Sequence, residues 1–264
     1  MQLEASLNAT PGSRHAELTI DPEGIATLTI AHAKSLNILG TPVIEELTAA
    51  LDRLCTDPSL RVLVLRGSGD KAFIGGADIH EMATLQRASA EAFITRLKGL
   101  CDAVRRVPVP VIARLPGWCL GGGLEVALAC DLRIGSGDAR YGMPEVRVGI
   151  PSVIHAALLP RLIGQSAATW LLLTGEPIDA STALAWGLVH RSVPLAELDA
   201  TVAHCAGQLA RLGPRALRQQ KALLRSWETL TLDAAVDASV SEFGRAFTTG
   251  EPQAFMAEFV NRKR

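Results

Sequence analysis

The chain is an α/β protein in which a buried, mostly parallel sheet is followed by a helical half. Three observations predict this. Short β-branched runs alternate with helical stretches up to about residue 150. The later runs are apolar throughout, as strands covered on both faces are. Beyond Ile150 almost every segment has helical spacing.

The elements follow in order. Residues 1–14 are small and polar and read as a loose tail. His15–Ile20 and Ile25–Ile30 alternate and are joined by Asp21-Pro22-Glu23-Gly24, which predicts a hairpin. Thr41 reads as an N-cap with Pro42 at the first helical position, and Val43, Ile44, Leu47, Ala50, Leu51 and Leu54 give a helix over 42–56. Arg61–Arg66 is an apolar strand with charged ends, followed by a loop from Gly67 to Gly76. Asp78-Ile-His-Glu81 matches a capping box and predicts a helix from about 79, and 88–106 reads as another. Val109–Arg114 is a second strand, Gly117–Gly123 a glycine-rich turn, 123–130 a short apolar helix and Leu132–Gly135 a third strand. Helices are then expected over 153–163, 166–174, 179–187, 196–212, 214–227, 231–247 and 251–262, with Gly187–Val193 an extended connection. The helical half is too broken to fold alone, so it should pack on the sheet or on a neighbouring subunit.

Composition narrows the function. The 264 residues are 48% hydrophobic and 20% charged, ample for a core and unlike a disordered chain. The 26 Lys plus Arg against 27 Asp plus Glu leave a net charge of −1, so nucleic acid and anionic membrane are not expected partners. Cysteines at 55, 101, 119, 130 and 205 form neither a C-x-x-C pair nor a Cys/His cluster, which argues against a disulfide scaffold or zinc site and fits a reducing, cytoplasmic setting. The first fifteen residues lack a secretory pattern and are unlike a transit peptide. The apolar stretch Gly117–Cys130 is too short to span a bilayer.

Two glycine clusters sit between a strand and a helix start: Lys71-Ala-Phe-Ile-Gly-Gly-Ala-Asp78 and Gly117-Trp-Cys-Leu-Gly-Gly-Gly-Leu-Glu125. Helix N-termini present free N–H groups, and glycine lets backbone approach a ligand. Two such turns side by side could aim two donors at one oxyanion; either alone reads equally as a tight turn. Neither is a dinucleotide fingerprint, a P-loop or a serine nucleophile elbow. Glu125 stands among Leu120, Leu124, Val126 and Ala127, out of place for a solvent face. Glu145, in Tyr141-Gly-Met-Pro-Glu-Val146, lies twenty residues later. Across one pocket the pair could perform acid/base chemistry, with pKa values pushed apart so that one stays protonated near neutral pH.

Taken together, Ser35-Leu-Asn37, Lys71–Met82, Gly117–Asp131, Met143-Pro-Glu145 and Thr249-Gly-Glu251 with Phe259 resemble the enoyl-CoA hydratase/isomerase (crotonase) superfamily, from about Leu18 to Arg264. The resemblance implies the crotonase (ClpP-like) fold, a spiral of ββα repeats over 15–195 with a C-terminal helical trimerisation region over 196–264, forming homotrimers or dimers of trimers. It implies an acyl-CoA substrate and no metal or redox cofactor, the CoA being part of the substrate. The thioester oxygen would lie between the N–H groups of Ala77 and Gly122. The CoA adenine would lie near Ser35, Leu36, Ala77 and Ile79, with Gly76 and Asp78 in the same turn. Glu125 would deprotonate water for attack at the β carbon, and Glu145 would handle the α-carbon proton. Both carboxylates together favour hydration of a trans-2-enoyl-CoA. The alternatives are double-bond isomerisation, acyl-CoA hydrolysis or cleavage, or a non-catalytic binding scaffold.

One segment departs from the family's hydratases. They commonly carry a Pro-Gly-x-Gly-Gly-Thr stretch after the second glutamate; here it reads Ile150-Pro-Ser-Val-Ile-His-Ala156. In the family this borders the acyl end of the pocket. Ser152 is expected as an N-cap, and His155 as a capping or packing residue rather than a pocket group. Lys221 lies on a helix that nears the CoA phosphates in relatives, although a solvated face is the simpler reading; Lys34 and Arg66 stand similarly. Trp118 is expected to line the pocket or pack in the core, and Cys119 and Cys130 to be small buried residues.

Overall fold

The computed structural model describes residues 13–262. The hairpin forms as expected, with β1 (Ala16–Ile20) antiparallel to β2 (Ile25–Ile30). Then come α1 (Thr41–Cys55), β3 (Val62–Gly67), β4 (Ala72–Ile74), α2 (Ile79–Met82) and α3 (Arg87–Arg106). They are followed by β5 (Val111–Leu115), β6 (Trp118–Leu120), α4 (Gly122–Ala129), β7 (Leu132–Ser136) and β8 (Arg140–Gly142). Two 3-10 turns, Pro144–Val148 and Ile154–Leu158, lead into α5 (Leu159–Ile163) and α6 (Gln165–Thr174). The chain continues with β9 (Ile178–Asp179), α7 (Ala180–Ala185), β10 (Arg191–Val193), α8 (Leu195–Ala210), α9 (Pro214–Trp227), α10 (Leu232–Ala246) and α11 (Glu251–Arg262).

The strands divide between two sheets. The larger runs β1-β2-β3-β5-β7-β10 and is parallel beyond the hairpin; the smaller runs β4-β6-β8-β9. Each of β3-β4, β5-β6 and β7-β8 sends its first strand to the large sheet and its second to the small one. This makes the ββα spiral. The small sheet is the part the sequence conceals: its strands have two or three residues, too short for alternation to register. Thus the expected turn over Gly117–Gly123 contains strand β6.

The large sheet is covered on both faces, which accounts for its apolar runs. Leu63, Leu65, Val111, Ala113 and Leu115 enter the main core with α1, α3 and α4. Val62, Val64, Ile112 and Ile134 face the other way, against Leu198, Val202, Ala206 and Ala210 of α8. Of the C-terminal helices, α8 therefore belongs to the sheet. On α10 the stripe Leu232, Val236 and Val240 is exposed, and Phe255, Met256 and Val260 are exposed on α11.

Several helix starts differ from expectation. Gly40, not Thr41, is the cap of α1. Thr41 donates from its N–H to Glu81 Oε2 at 2.9 Å, and from its hydroxyl to the same carboxylate. Glu81 is thereby diverted from the capping box: Asp78 accepts from His80 N–H at 3.1 Å, and α2 is only 4 residues long. The loop before α1 is fixed by buried Asn37, whose Nδ2 donates to Ala72 O at 3.0 Å and Ser68 O at 3.2 Å. The expected helix over 153–163 is a 3-10 turn followed by α5. Ser152 is not its cap; Val153 holds that position.

Candidate active site

Strand pairing places the two glycine-rich turns side by side. Ile74 of β4 is in register with Cys119 of parallel strand β6. Three residues beyond each lie Ala77 and Gly122, so equal offsets from a paired position carry both N–H groups. A Cβ on Gly76 would stand 3.6 Å from Leu120 O, so the turns are in contact. Neighbouring amides are committed: Asp78 N–H to Leu39 O at 2.9 Å, Gly121 N–H to Gly142 O at 2.9 Å and Glu125 N–H to Gly121 O at 3.0 Å. The N–H groups of Ala77 and Gly122 find no acceptor among the described residues. Gly122 opens α4, where a first-turn N–H has no intrahelical partner.

Two glycines make this geometry. Gly121 adopts φ 52 and ψ −125, hostile to a side chain, and a Cβ there would meet Glu145 Oε1 at 2.5 Å. Gly123 packs α4 onto β4 so closely that a Cβ would stand 2.3 Å from Ile74 O.

The same turns collect the carboxylates. Helix α4 is buried all round, and Glu125 within it is 3% exposed. Its Oε1 accepts Ala156 N–H at 3.1 Å. Burial pushes its pKa up to about 8; the Ala156 N–H opposes this, and the Glu145 charge adds to it. Glu145, on the 3-10 turn after β8, is also raised by burial, against which the Ser152 hydroxyl works. That hydroxyl donates to Glu145 Oε2 at 2.8 Å. The more deeply buried Glu125 thus holds a proton near neutral pH while Glu145 is the more readily ionised.

Residues around the first turn also gather. Gly75 N–H donates to Leu36 O at 2.7 Å, and Leu39 pairs with Ala77, so Ser35 and Leu36 lie beside Gly76, Asp78 and Ile79. Lys34 Nζ meets Asp78 Oδ2 at 2.6 Å, and Ile79 is 52% exposed. Three other candidates lie elsewhere. Lys221 is neither at a phosphate site nor on a solvated face: it is buried, with Nζ on Asp131 Oδ2 at 2.7 Å and Val109 O at 2.8 Å. Arg66 stands 3.7 Å from Asp199. Trp118 is 41% exposed and lines a surface hollow with Lys71, Arg140 and Leu195, so it belongs neither to the core nor beside the carboxylates. Cys119 and Cys130 are buried free thiols, as expected.

The Pro151–Ala156 segment contributes more than its sequence suggested. Besides Ser152 and the Ala156 amide, His155 is buried with Nε2 3.4 Å from Asp102 Oδ1 of α3. Its Nδ1 is buried without a hydrogen-bond partner among the described residues. Asp102 is absent from the sequence reading because only the tertiary fold brings α3 to this turn. No helix among the described residues is long and apolar enough to cross a membrane, and no group of three metal-ligating side chains forms among them.

The ββα spiral with its C-terminal helices is the crotonase fold. The enoyl-CoA hydratase/isomerase family model matches residues 21–264. A crotonyl-CoA hydratase of Syntrophomonas wolfei is 34% identical, the match covering 92% of this chain and 94% of that one. A short-chain-enoyl-CoA hydratase of Clostridium acetobutylicum is 32% identical over 93% of this chain and 95% of its own. The crystal structure of an enoyl-CoA hydratase from Bacillus anthracis superposes with a TM-score of 0.91 at 28% identity, covering 94% of this chain and 97% of that chain. The chain belongs to the enoyl-CoA hydratase/isomerase family.

Proposed function

We infer that the chain is an enoyl-CoA hydratase, which adds water across the 2,3 double bond of an enoyl-CoA to give a 3-hydroxyacyl-CoA. The observation that carries this reading is the conjunction of a buried and a half-buried carboxylate with two uncommitted N–H groups on adjacent turns. The thioester oxygen would accept from Ala77 and Gly122, drawing electrons from the double bond as hydroxide arrives at the β carbon. Each such donor typically contributes about 100- to 1000-fold in rate.

Two carboxylates suit this addition because water must lose a proton and the α carbon must gain one. The pair enters with one proton and leaves with one. In the reactive complex the ionised member takes a proton from water while the protonated member delivers its own to the α carbon. We assign Glu125 to the water and Glu145 to the α carbon. Since Glu125 holds the proton near neutral pH, this assignment requires the proton to pass to Glu145 as substrate and water enter. The CoA moiety would run past Ser35, Leu36, Gly76, Asp78 and Ile79. The chemistry uses no cofactor beyond the CoA that the substrate carries. The exposed apolar stripes on α10 and α11 support assembly into a homotrimer or dimer of trimers.

The test is loss of ultraviolet absorbance of crotonyl-CoA, with Glu125→Gln and Glu145→Gln as controls. Loss abolished by either substitution is expected. Exchange of the α hydrogens of butyryl-CoA with deuterated water then separates the roles: Glu145→Gln should stop it and Glu125→Gln should not. Full hydration by either variant would refute the two-carboxylate reading.

A further inference from the structure

The segment that departs most from the family's glycine-rich pattern touches both carboxylates. It begins where the 3-10 turn Pro144–Val148 ends at Gly149, in the left-handed region with φ 80, and the chain doubles back. Ile150 N–H donates to Glu145 O at 3.2 Å, which holds the return in register. Ser152 then meets Glu145 Oε2, and four residues on Ala156 N–H meets Glu125 Oε1. Between them Ile154 has φ 39, a left-handed conformation costly for a β-branched residue. Such strain persists only where surrounding contacts hold it, and here His155 on Asp102 ties the next residue to α3.

We propose that Ser152 is a positioning residue for Glu145: its hydroxyl grips one carboxylate oxygen and presents the other at the Gly121 turn. The proposal rests on the acid/base role given to Glu145 above. The geometry gives the grip its direction. Ser152 takes Oε2, while Oε1 is the atom against Gly121, one residue before the Gly122 N–H. Other charges face Glu145 sparsely. On α4 there is Glu125. Helix α6, packed on the same turn, carries no charged side chain. Arg147, on Glu145's own turn, points to Thr174 O. His155 is turned to Asp102. A hydroxyl donor is therefore the main polar stabiliser of the Glu145 carboxylate.

The experiment is the pH dependence of kcat and KM for crotonyl-CoA hydration by wild type, Ser152→Ala, Ser152→Thr and Glu145→Gln. Without the hydroxyl, kcat should fall about tenfold or more with KM little changed. Of the two limbs of kcat/KM, which report the free enzyme, the acid one reports protonation of the more readily ionised member, so in Ser152→Ala it should move up by about one pH unit. The alkaline limb, governed by Glu125, should stay in place. Ser152→Thr should restore both kcat and the acid limb; should Ser152→Ala fail to fold, Ser152→Cys carries the comparison, its weak donor giving an intermediate limb. Wild-type kcat and limbs in Ser152→Ala, or in Ser152→Cys if that variant carries the test, would overturn the proposal, provided Glu145→Gln is inactive. A fully active Glu145→Gln would instead remove the role of Glu145 on which the proposal stands.

Discussion

Replacing Glu125 by Gln should move the balance of stability toward the variant as the pH rises. The side chain is 3% exposed, and burial lifts its pKa from 4.5 to about 8. The unfolded chain ionises it near the ordinary value. Between those two values the folded chain holds a proton that the unfolded chain has released, so wild-type stability falls with rising pH. Each pH unit in that window costs about 1.4 kcal/mol, which accumulates to about 3 kcal/mol at pH 7 and about 4 kcal/mol at pH 8, then levels off near about 5 kcal/mol. Below the ordinary value both states are protonated and the loss vanishes. Gln has no such titration. It keeps an oxygen for Ala156 N–H but adds an amide donor that needs a partner, a pH-independent cost of about 1–3 kcal/mol. The slope is therefore diagnostic rather than the absolute difference. Equilibrium urea unfolding of both proteins, at one fixed concentration and from about pH 5 to about pH 9, measures it. The difference should move steadily in favour of Gln up to about pH 8 and then run flat. A difference independent of pH would refute the burial argument. The same variant should fail to hydrate crotonyl-CoA, so stability and activity move in opposite directions.

Lys221→Met leaves the half-buried Asp131 with Arg225 and the Val111 N–H and should lower the unfolding free energy by about 2 kcal/mol, read from the urea midpoint, while KM for acyl-CoA stays unchanged; a raised KM would return Lys221 to the substrate. Gly121→Ala forces a side chain into φ 52 against the Glu145 carboxylate, and kcat should fall about 100-fold or more in a protein whose circular dichroism is unchanged. Burial lowers the pKa of His155, opposed by the Asp102 charge, and burial lowers that of His190 too. The unfolded chain therefore binds protons at these imidazoles first as the pH falls, and their contribution to stability should decline below about pH 6.5, against the opposite trend from Glu125. His155→Gln should flatten that decline and the double variant with His190→Gln should flatten it further, which unfolding curves at successive pH values will measure.

The large sheet and the long helices were legible because burial on both faces, or on one face, writes itself into the sequence. Val62–Leu65 is apolar without a break because main core and α8 lie on either side. The small sheet was not legible, since pairing of three-residue strands depends on partners far along the chain. Of the site, the isolated Glu125 and the two glycine clusters stood out locally. The functions of Ser152 and Asp102 did not, because each depends on which surface the 150–158 segment meets. Lys221 was misread for a related reason: a long cationic side chain in an amphipathic helix looks solvated until Asp131 appears beside it. Glu81 failed as half of a capping box because a better donor pair, on Thr41, lay within reach.

The register of Ile74 with Cys119 has a consequence for how this scaffold can change its chemistry. Adjacent strands lie about 4.8 Å apart, a pitch fixed by their own hydrogen bonds. Two amides three residues beyond such a pair start from that pitch, so the small sheet is the base of a gauge for the oxygen they would receive. No functional side chain sets the spacing; substitution disturbs it where a side chain would crowd the backbone, as at Gly121 or Gly123. Acidic side chains above the gauge can be exchanged one at a time while the grip on the substrate's carbonyl persists. A single inserted residue in either turn would break the match at once. Innovation on this frame is thus cheap by replacement and expensive by insertion.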